Sequence, residues 1–312
     1  MGEHHHHHTN NKKILLLSFL IITFFMLIEA VGGYLTNSLA LLSDAGHMLS
    51  DAISLAIALA AFMLSERAVS NQKTFGYKRF EVLAAVINGI TLILIAVVIC
   101  YEAIERFMKP PEVATMGMLI ISVFGLMVNV LVAWLMMRGA DTKGNLNMRG
   151  AFLHVIGDML GSVGAIVAAL LMMAFGWLWA DPLASVIVAI LVFKSGLSIT
   201  KASTHILMEG SPPNIDAEKI AQQILSHEQI IAIHDLHLWT ISSGLNMLTC
   251  HIVVDENMQI SESEHIVKTV EHQLLHDGIQ HVTIQVETAK HKHDEGLLCT
   301  IKAIQEDHQH HH

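Results

Sequence analysis

Long apolar runs separated by short polar connections fill the first two thirds of the chain, and the last third changes to a finer pattern. The runs cover 14–34, 39–64, 82–101, 116–137, 151–175 and 183 to about 199. Each is near the ~20 residues a helix needs to cross a bilayer core, and the first is too long for a signal-peptide core. Pro110-Pro111 breaks the third run, and Pro182 suits the first turn of the sixth helix. The pattern predicts about six membrane spans.

Beyond the turn signal Gly210-Ser211-Pro212-Pro213 the periodicity shortens. A helix is expected over 216–226, capped by Asn214 or Asp216, and a strand over 233–242. Ser243-Gly244 turns the chain into a second strand over 246–255, where Ile252-Val253-Val254 is β-branched. A helix over 261–275 begins with Ser261-x-x-Glu264 as a capping box, and a last strand covers 281–287. The order α-β-β-α-β predicts a small two-layer α+β domain, ferredoxin-like in style. The expected fold is thus a six-helix α-helical transmembrane domain followed by a cytoplasmic α+β ferredoxin-like domain. Its divisions are a His-rich tail over 1–13, the membrane domain over 14–205, the cytoplasmic domain over 206–290 and a His-rich tail over 291–312.

Composition agrees with this division. The 312 residues are 53% hydrophobic and only 15% charged, against roughly 25% charged in an ordinary soluble protein. The net charge of −10 argues against nucleic acid as a partner. Basic residues gather on one side of the membrane: Lys12 and Lys13, then Arg67, Lys73, Lys78 and Arg79, then Arg138, Lys143 and Arg149, then Lys201. The opposite loops hold only Arg106 and Lys109, so both termini are expected to be cytoplasmic. Cys100, Cys250 and Cys299 are far apart and form no CxxC pair, which gives no sign of a disulfide framework. Some of the 22 histidines come from His4 to His8 and His310 to His312, and both expression tags and native metal-gathering tails fit these runs.

Charge inside the apolar runs is where chemistry is expected, because an ionisable group in a span usually marks a pathway. His47 and Asp51 lie at i, i+4 in the second run, and His154 and Asp158 repeat the spacing in the fifth. On helices, each pair shares one face. Together they offer two nitrogens and two oxygens, a set suited to a tetrahedral divalent metal such as zinc. The plainer alternative is hydrogen bonding between helices with no metal. Asp44 is an extra ligand, a neighbour that orients His47, or a group at the access route. Glu29, Asn88, Asn129 and Ser162 are polar enough to line a path, though structural hydrogen bonding accounts for each. Gly161, Ser162 and Gly164 let helices approach closely. In the last third, His234 and His237 flank Asp235 on one strand, with His251 on the next. A second metal site there, with Glu287 as oxygen ligand, competes with ordinary solvated histidines. His291, His293, Asp294 and Cys299 form a softer group.

The stretches SLALLSDAGHMLSD, TFGYKRFEVLAA, LHVIGDMLGS and HDLHLW together resemble the cation diffusion facilitator family, in the type of its bacterial zinc, cadmium and cobalt exporters. The resemblance covers nearly the whole chain. It implies six transmembrane helices, a cytoplasmic ferredoxin-like domain, a homodimer, and export of divalent metal driven by inward proton flow. It also implies that His47, Asp51, His154 and Asp158 form the transport site, with His at position 47 in the zinc-preferring manner. The family's cytoplasmic metal site maps onto His234, His251 and His265, while its last-strand ligands fall where this chain reads Gln285-Val286-Glu287, and the resemblance singles out none of the three. Ser70-Asn71-Gln72-Lys73 carries no His or Asp, so a further site in that loop is not expected. The function expected is a dimeric metal/proton antiporter of the cell membrane, carrying zinc first and cadmium and cobalt beside it, with proton against potassium as the counter-ion left open and no organic cofactor. An uncoupled metal channel is the alternative. A membrane metalloenzyme is disfavoured, since no HExxH appears and the four ligands look committed.

Overall fold

The computed structural model describes residues 3–36, 39–65, 67, 69–108, 115–290 and 296–298. The side chains of 3–10, 29, 32–33, 35–36, 39–47, 50 and 118 lie outside that description. The chain divides into two compact units between Met208 and Glu209.

The first unit is helical: α1 (Glu3–Thr36), α2 (Leu39–Ser65), α3 (Arg79–Met108), α4 (Thr115–Gly139), α5 (Leu146–Phe175) and α6 (Ala180–Leu207). Among the described residues, five helices are long and apolar enough to cross a membrane, and α2 contributes the shorter apolar stretch Asp51–Ser65. Large apolar side chains such as Phe24, Leu94 and Ile190 are more than half exposed, which suits lipid and would be costly in water. Inside, Leu15, Ile22, Leu55, Phe62, Met136, Met148 and Val155 form one cluster, and Leu92, Val188, Val192 and Ile199 form another.

Helix α5 begins five residues before its apolar run because Asn145 caps it, the Asn145 side chain accepting from the Met148 N–H at 2.9 Å. It ends at Gly176, whose φ of 69° supplies the left-handed turn and whose N–H donates to the Met172 carbonyl. In the first turn of α5, Asn147 donates to the Ala58 carbonyl of α2 at 2.9 Å. That buried bond ties together the two helices that carry the His/Asp pairs. Helices α3 and α6 meet backbone to backbone: a Cβ placed on Gly196 would lie 2.8 Å from the Gly89 carbonyl.

The second unit runs α7 (Ala217–Leu225), β1 (Ala232–Ser242), β2 (Leu245–Val254), α8 (Ile260–His276) and β3 (His281–Thr288). The order is the expected α-β-β-α-β. The sheet order is β1-β2-β3, with β1 antiparallel and β3 parallel to β2. The parallel pair requires a crossover, which α8 supplies. Leu248 and Ile252 of β2 pack with Ile220 and Ile224 of α7 and Ile266, Val270 and Leu274 of α8 in one core. Gly244, at φ 73°, forms the hairpin turn.

Asp216 caps α7, accepting from the Glu218 N–H at 3.0 Å, an arrangement worth about 1 kcal/mol. The capping box of α8 differs from the expected one. Gln259 precedes the helix, and its N–H donates to the Glu262 carboxylate at 3.3 Å. Ser261 lies inside the helix, and Glu264 instead accepts from Lys268 one turn on. The Lys268 ammonium holds the Glu264 carboxyl below its ordinary range.

Candidate metal centres

Asp51 on α2 meets His154 and Asp158 on α5. His154 Nε2 lies 3.0 Å from the Asp51 Oδ1 and 3.8 Å from an Asp158 oxygen. One ligand atom from each residue falls within 4.8 Å of the others. Asp51 and His154 are each 3% exposed, and Asp158 is partly buried. The three line a cavity of about 220 Å³ together with Met48, Asn129 and Ser162. The i, i+4 spacing on α5 puts His154 and Asp158 on one face of the helix, within reach of Asp51 on α2. Asn129 and Ser162, expected to be polar linings or structural donors, line the cavity. Asn88 is outside its lining, and its amide atoms are buried without a hydrogen-bond partner. His47 and Asp44 lie on α2, but their side chains, like that of Glu29, fall outside the described residues.

Two carboxylates and an imidazole enclosed at this depth hold negative charge where it is costly. A divalent cation offsets that charge, and so do protons. The donor set of one nitrogen and two carboxylates suits zinc and its neighbours. Metal requires ionised carboxylates and a neutral imidazole, so the two kinds of cation compete for the same atoms.

A second group forms on the sheet. His234 and His251 are cross-strand partners of β1 and β2. The parallel register sets Gln285 beside His251 and Glu287 beside Val253. Glu287 is 8% exposed and reaches both histidines: its oxygens lie 3.4 Å from His234 Nε2 and 3.0 Å from His251 Nδ1. His234, His251 and Glu287 together offer ligand atoms within 4.8 Å. His265 is not brought to this group. It stands exposed on α8. The tail residues His291, His293, Asp294 and Cys299 lie outside the described residues.

Asp235 has a part that the sequence reading passed over. One carboxylate oxygen lies 3.1 Å from His237 Nε2 and the other 3.4 Å from His251 Nε2. A regular strand would turn Asp235 to the opposite face from His234. The register shift between His234 and His237 and the φ of 51° at Asp235 break that alternation. Aspartate tolerates this left-handed conformation better than most residues. The signal was present as an acidic residue between two histidines, but the bulge that aims it is not written in a hydrophobic pattern. Next to His251, Cys250 turns inward to the core, and burial, then the Asp235 charge, push its thiol up to about 12. It therefore stays a neutral thiol.

A bundle of membrane-length helices around a buried histidine–carboxylate group that could hold a cation, followed by a small α+β unit, defines a polytopic membrane protein. Residues 15–208 match the cation efflux transmembrane domain, and residues 212–289 match the cation efflux protein cytoplasmic domain. The chain belongs to the cation efflux family, as its motifs indicated. It is 65% identical to the cadmium, cobalt and zinc/H(+)-K(+) antiporter of Bacillus subtilis over 92% of this chain and 93% of that protein. It is 40% identical to the zinc transporter ZitB of Escherichia coli, over 92% and 90%. It is 39% identical to the metal cation efflux system protein CzcD of Cupriavidus metallidurans, over 85% and 83%.

Proposed function

We propose that the protein is a secondary active exporter of divalent metal cations from the cytoplasm, zinc first and cadmium and cobalt beside it, coupled to inward movement of protons, with potassium as a further counter-ion. The observation that carries the reading is the convergence of Asp51, His154 and Asp158 in a cavity between apolar helices. The antiporter and transporter names of the relatives support it. His47, one turn before Asp51, supplies the fourth donor in this reading, and α2 is the sixth membrane span.

The match of residues 212–289 to a cytoplasmic domain supports the orientation. The chain passes from the end of α6 at Leu207 into that domain, so the C-terminal end of α6 faces the cytoplasm and its start at Ala180 faces outward. With six spans the N-terminus is also cytoplasmic. The second unit is read as ferredoxin-like, and its family name, that of a dimer module, supports a homodimer.

The test uses sealed vesicles holding the purified protein, with dyes for internal zinc and internal pH. Export by exchange predicts opposed, gradient-dependent zinc and proton movements that vanish in Asp51→Ala. Zinc movement indifferent to the proton gradient would leave an uncoupled facilitator, the second reading. The buried centre, where protons and metal contend for the same three side chains, favours exchange.

The sheet group serves in this reading as a cytoplasmic zinc site. Two imidazoles and a carboxylate within reach of one point match zinc's ligand preferences, and Asp235 orients His251 from behind. Glu287→Gln is expected to weaken zinc binding there by about 10- to 100-fold. Chelator competition on the full chain, in an Asp158→Asn background that silences the membrane centre, reads the change. Unaltered affinity would reduce the cluster to an ion-pair network.

A further inference from the structure

Asp51, His154 and Asp158 belong to one pair of helices, and the wall opposite them belongs to another. Helices α2 and α5 are tied by the Asn147–Ala58 bond. Helices α3 and α6 are tied by the Gly89–Gly196 contact and by Arg106, which donates to the Asp181 carboxylate at 2.8 Å. The cavity of the metal centre lies on the seam between the pairs, with Leu92 of α3 and Val192 of α6 lining its far side. Toward the starts of α3 and α5 the seam continues in polar side chains. Asn88 precedes Leu92 by four positions, so it stands one turn from the cavity on the same face of α3. It packs against Gly150, which precedes His154 by four positions on α5: a Cβ placed there would lie 3.6 Å from the Asn88 Cβ and 3.7 Å from its Nδ2. Asn147 precedes His154 by seven positions and shares its face, about 10 Å away along the helix axis. Asn88 is 3% exposed and Asn147 is fully buried. Both polar atoms of the Asn88 amide, and the Oδ1 of Asn147, have no hydrogen-bond partner among the described residues. Glu81, seven positions before Asn88, is a further buried polar side chain on this face of α3.

Folded proteins leave few buried polar atoms without partners, and each calls for a reason. Here two neighbouring helices carry such atoms along a column that ends at His154. Helix packing does not account for them, because an apolar side chain of the same size would pack there at less cost. Polar groups kept inside membrane spans mark the path of a substrate or ion. On the proposed orientation α3 and α5 start on the cytoplasmic side, so the column leads from the cytoplasm to the centre. We infer that Asn88 and Asn147 form the cytoplasmic approach to the metal centre, a stepping site where an incoming divalent cation exchanges part of its hydration shell for amide oxygens before it reaches Asp51, His154 and Asp158. Backbone carbonyl oxygens replace water around ions in channel filters by the same chemistry. Glu81 places a carboxyl group at the entrance of the column, in the first turn of α3. The inference rests on the proposed export reading and deepens it by naming the residues that admit the metal.

The experiment compares Asn88→Leu and Asn88→Ser with the parent protein, using the full chain in inside-out vesicles whose bath corresponds to the cytoplasm. Leucine is close to asparagine in size and removes the unpartnered atoms, so Asn88→Leu is expected to melt in detergent at or above the parent's temperature. Its zinc uptake at limiting bath zinc is expected to fall by about 10-fold, the scale of a lost polar contact to a charged group. Serine keeps an oxygen at the position, and Asn88→Ser is expected to take up zinc nearly as the parent does. Parent-like uptake by Asn88→Leu overturns the stepping site. A melting temperature below the parent's also overturns it, since the amide is then a structural brace. A serine variant as slow as the leucine one does the same, since size rather than the oxygen is then what matters. Asp158→Asn serves as the control for the underlying reading. If it transports like the parent, the metal centre itself is misassigned; if it is inactive while Asn88→Leu transports like the parent, the stepping site alone is wrong.

Discussion

Alanine at position 154 is expected to lower zinc flux by about 100-fold or more while leaving a folded protein. His154 is the hub of the membrane centre, since its Nε2 faces carboxylates from two helices at 3.0 and 3.8 Å. Without the imidazole, the metal keeps only oxygen ligands from the described side chains, a set better suited to hard cations than to zinc. The fold should survive, because α2 and α5 remain fastened by the Asn147 bond and by packing of Leu55, Val155 and Met148. Zinc and pH dyes in sealed vesicles measure the loss, and a melting curve in detergent checks the fold. Zinc-dependent proton flux persisting in both His154→Ala and Asp158→Ala would remove these residues from the transport site.

Leucine at position 196 is expected to separate α3 from α6 and to destabilise the membrane unit by about 3 kcal/mol or more, the upper end of overpacking costs. Even the first carbon of a side chain there would stand 2.8 Å from the Gly89 carbonyl, 2.9 Å from Ile93 Cγ1 and 3.1 Å from the Ile93 nitrogen. Backbone cannot rotate out of the way as a side chain does, so the helices must move apart. Close approach of this kind is the main way small residues hold helices together in lipid, where no hydrophobic force drives them together. Gly164→Ala is the control. Its new Cβ meets Ala184 and Val188 carbons at 3.5 Å, an ordinary contact, and the variant should melt near the parent. Thermal unfolding of the purified proteins in one detergent compares the two, and equal melting temperatures would show that the Gly196 contact is dispensable.

Much of this architecture was legible because burial in lipid leaves a strong mark on composition. The apolar runs located the membrane helices, and the doubled histidine–aspartate spacing pointed to the face where Asp51, His154 and Asp158 meet. Alternation and turn residues located every element of the second unit to within a residue or two. Local detail was less visible. The helix cap at Gln259 rather than Ser261 depends on which of several polar residues turns its backbone first. Asp235 depends on a one-residue slip between two strands. Glu287 was a residue-level expectation that the parallel register places beside the histidines, whereas His265 was carried over from the family and stands apart on α8.

The Gly89–Gly196 contact also bears on how the protein is made. Its two halves are far apart in the chain, with α4 and α5 between them. A ribosome adding about 5–20 residues per second makes α3 on the order of ten seconds before α6 exists to receive it. Throughout that interval α3 has neither the glycine contact nor the Asp181 partner of Arg106. It also carries the most apolar 18-residue stretch of the five membrane-length helices among the described residues. The helix that waits for its distant partner is therefore the one best able to remain in lipid alone during synthesis.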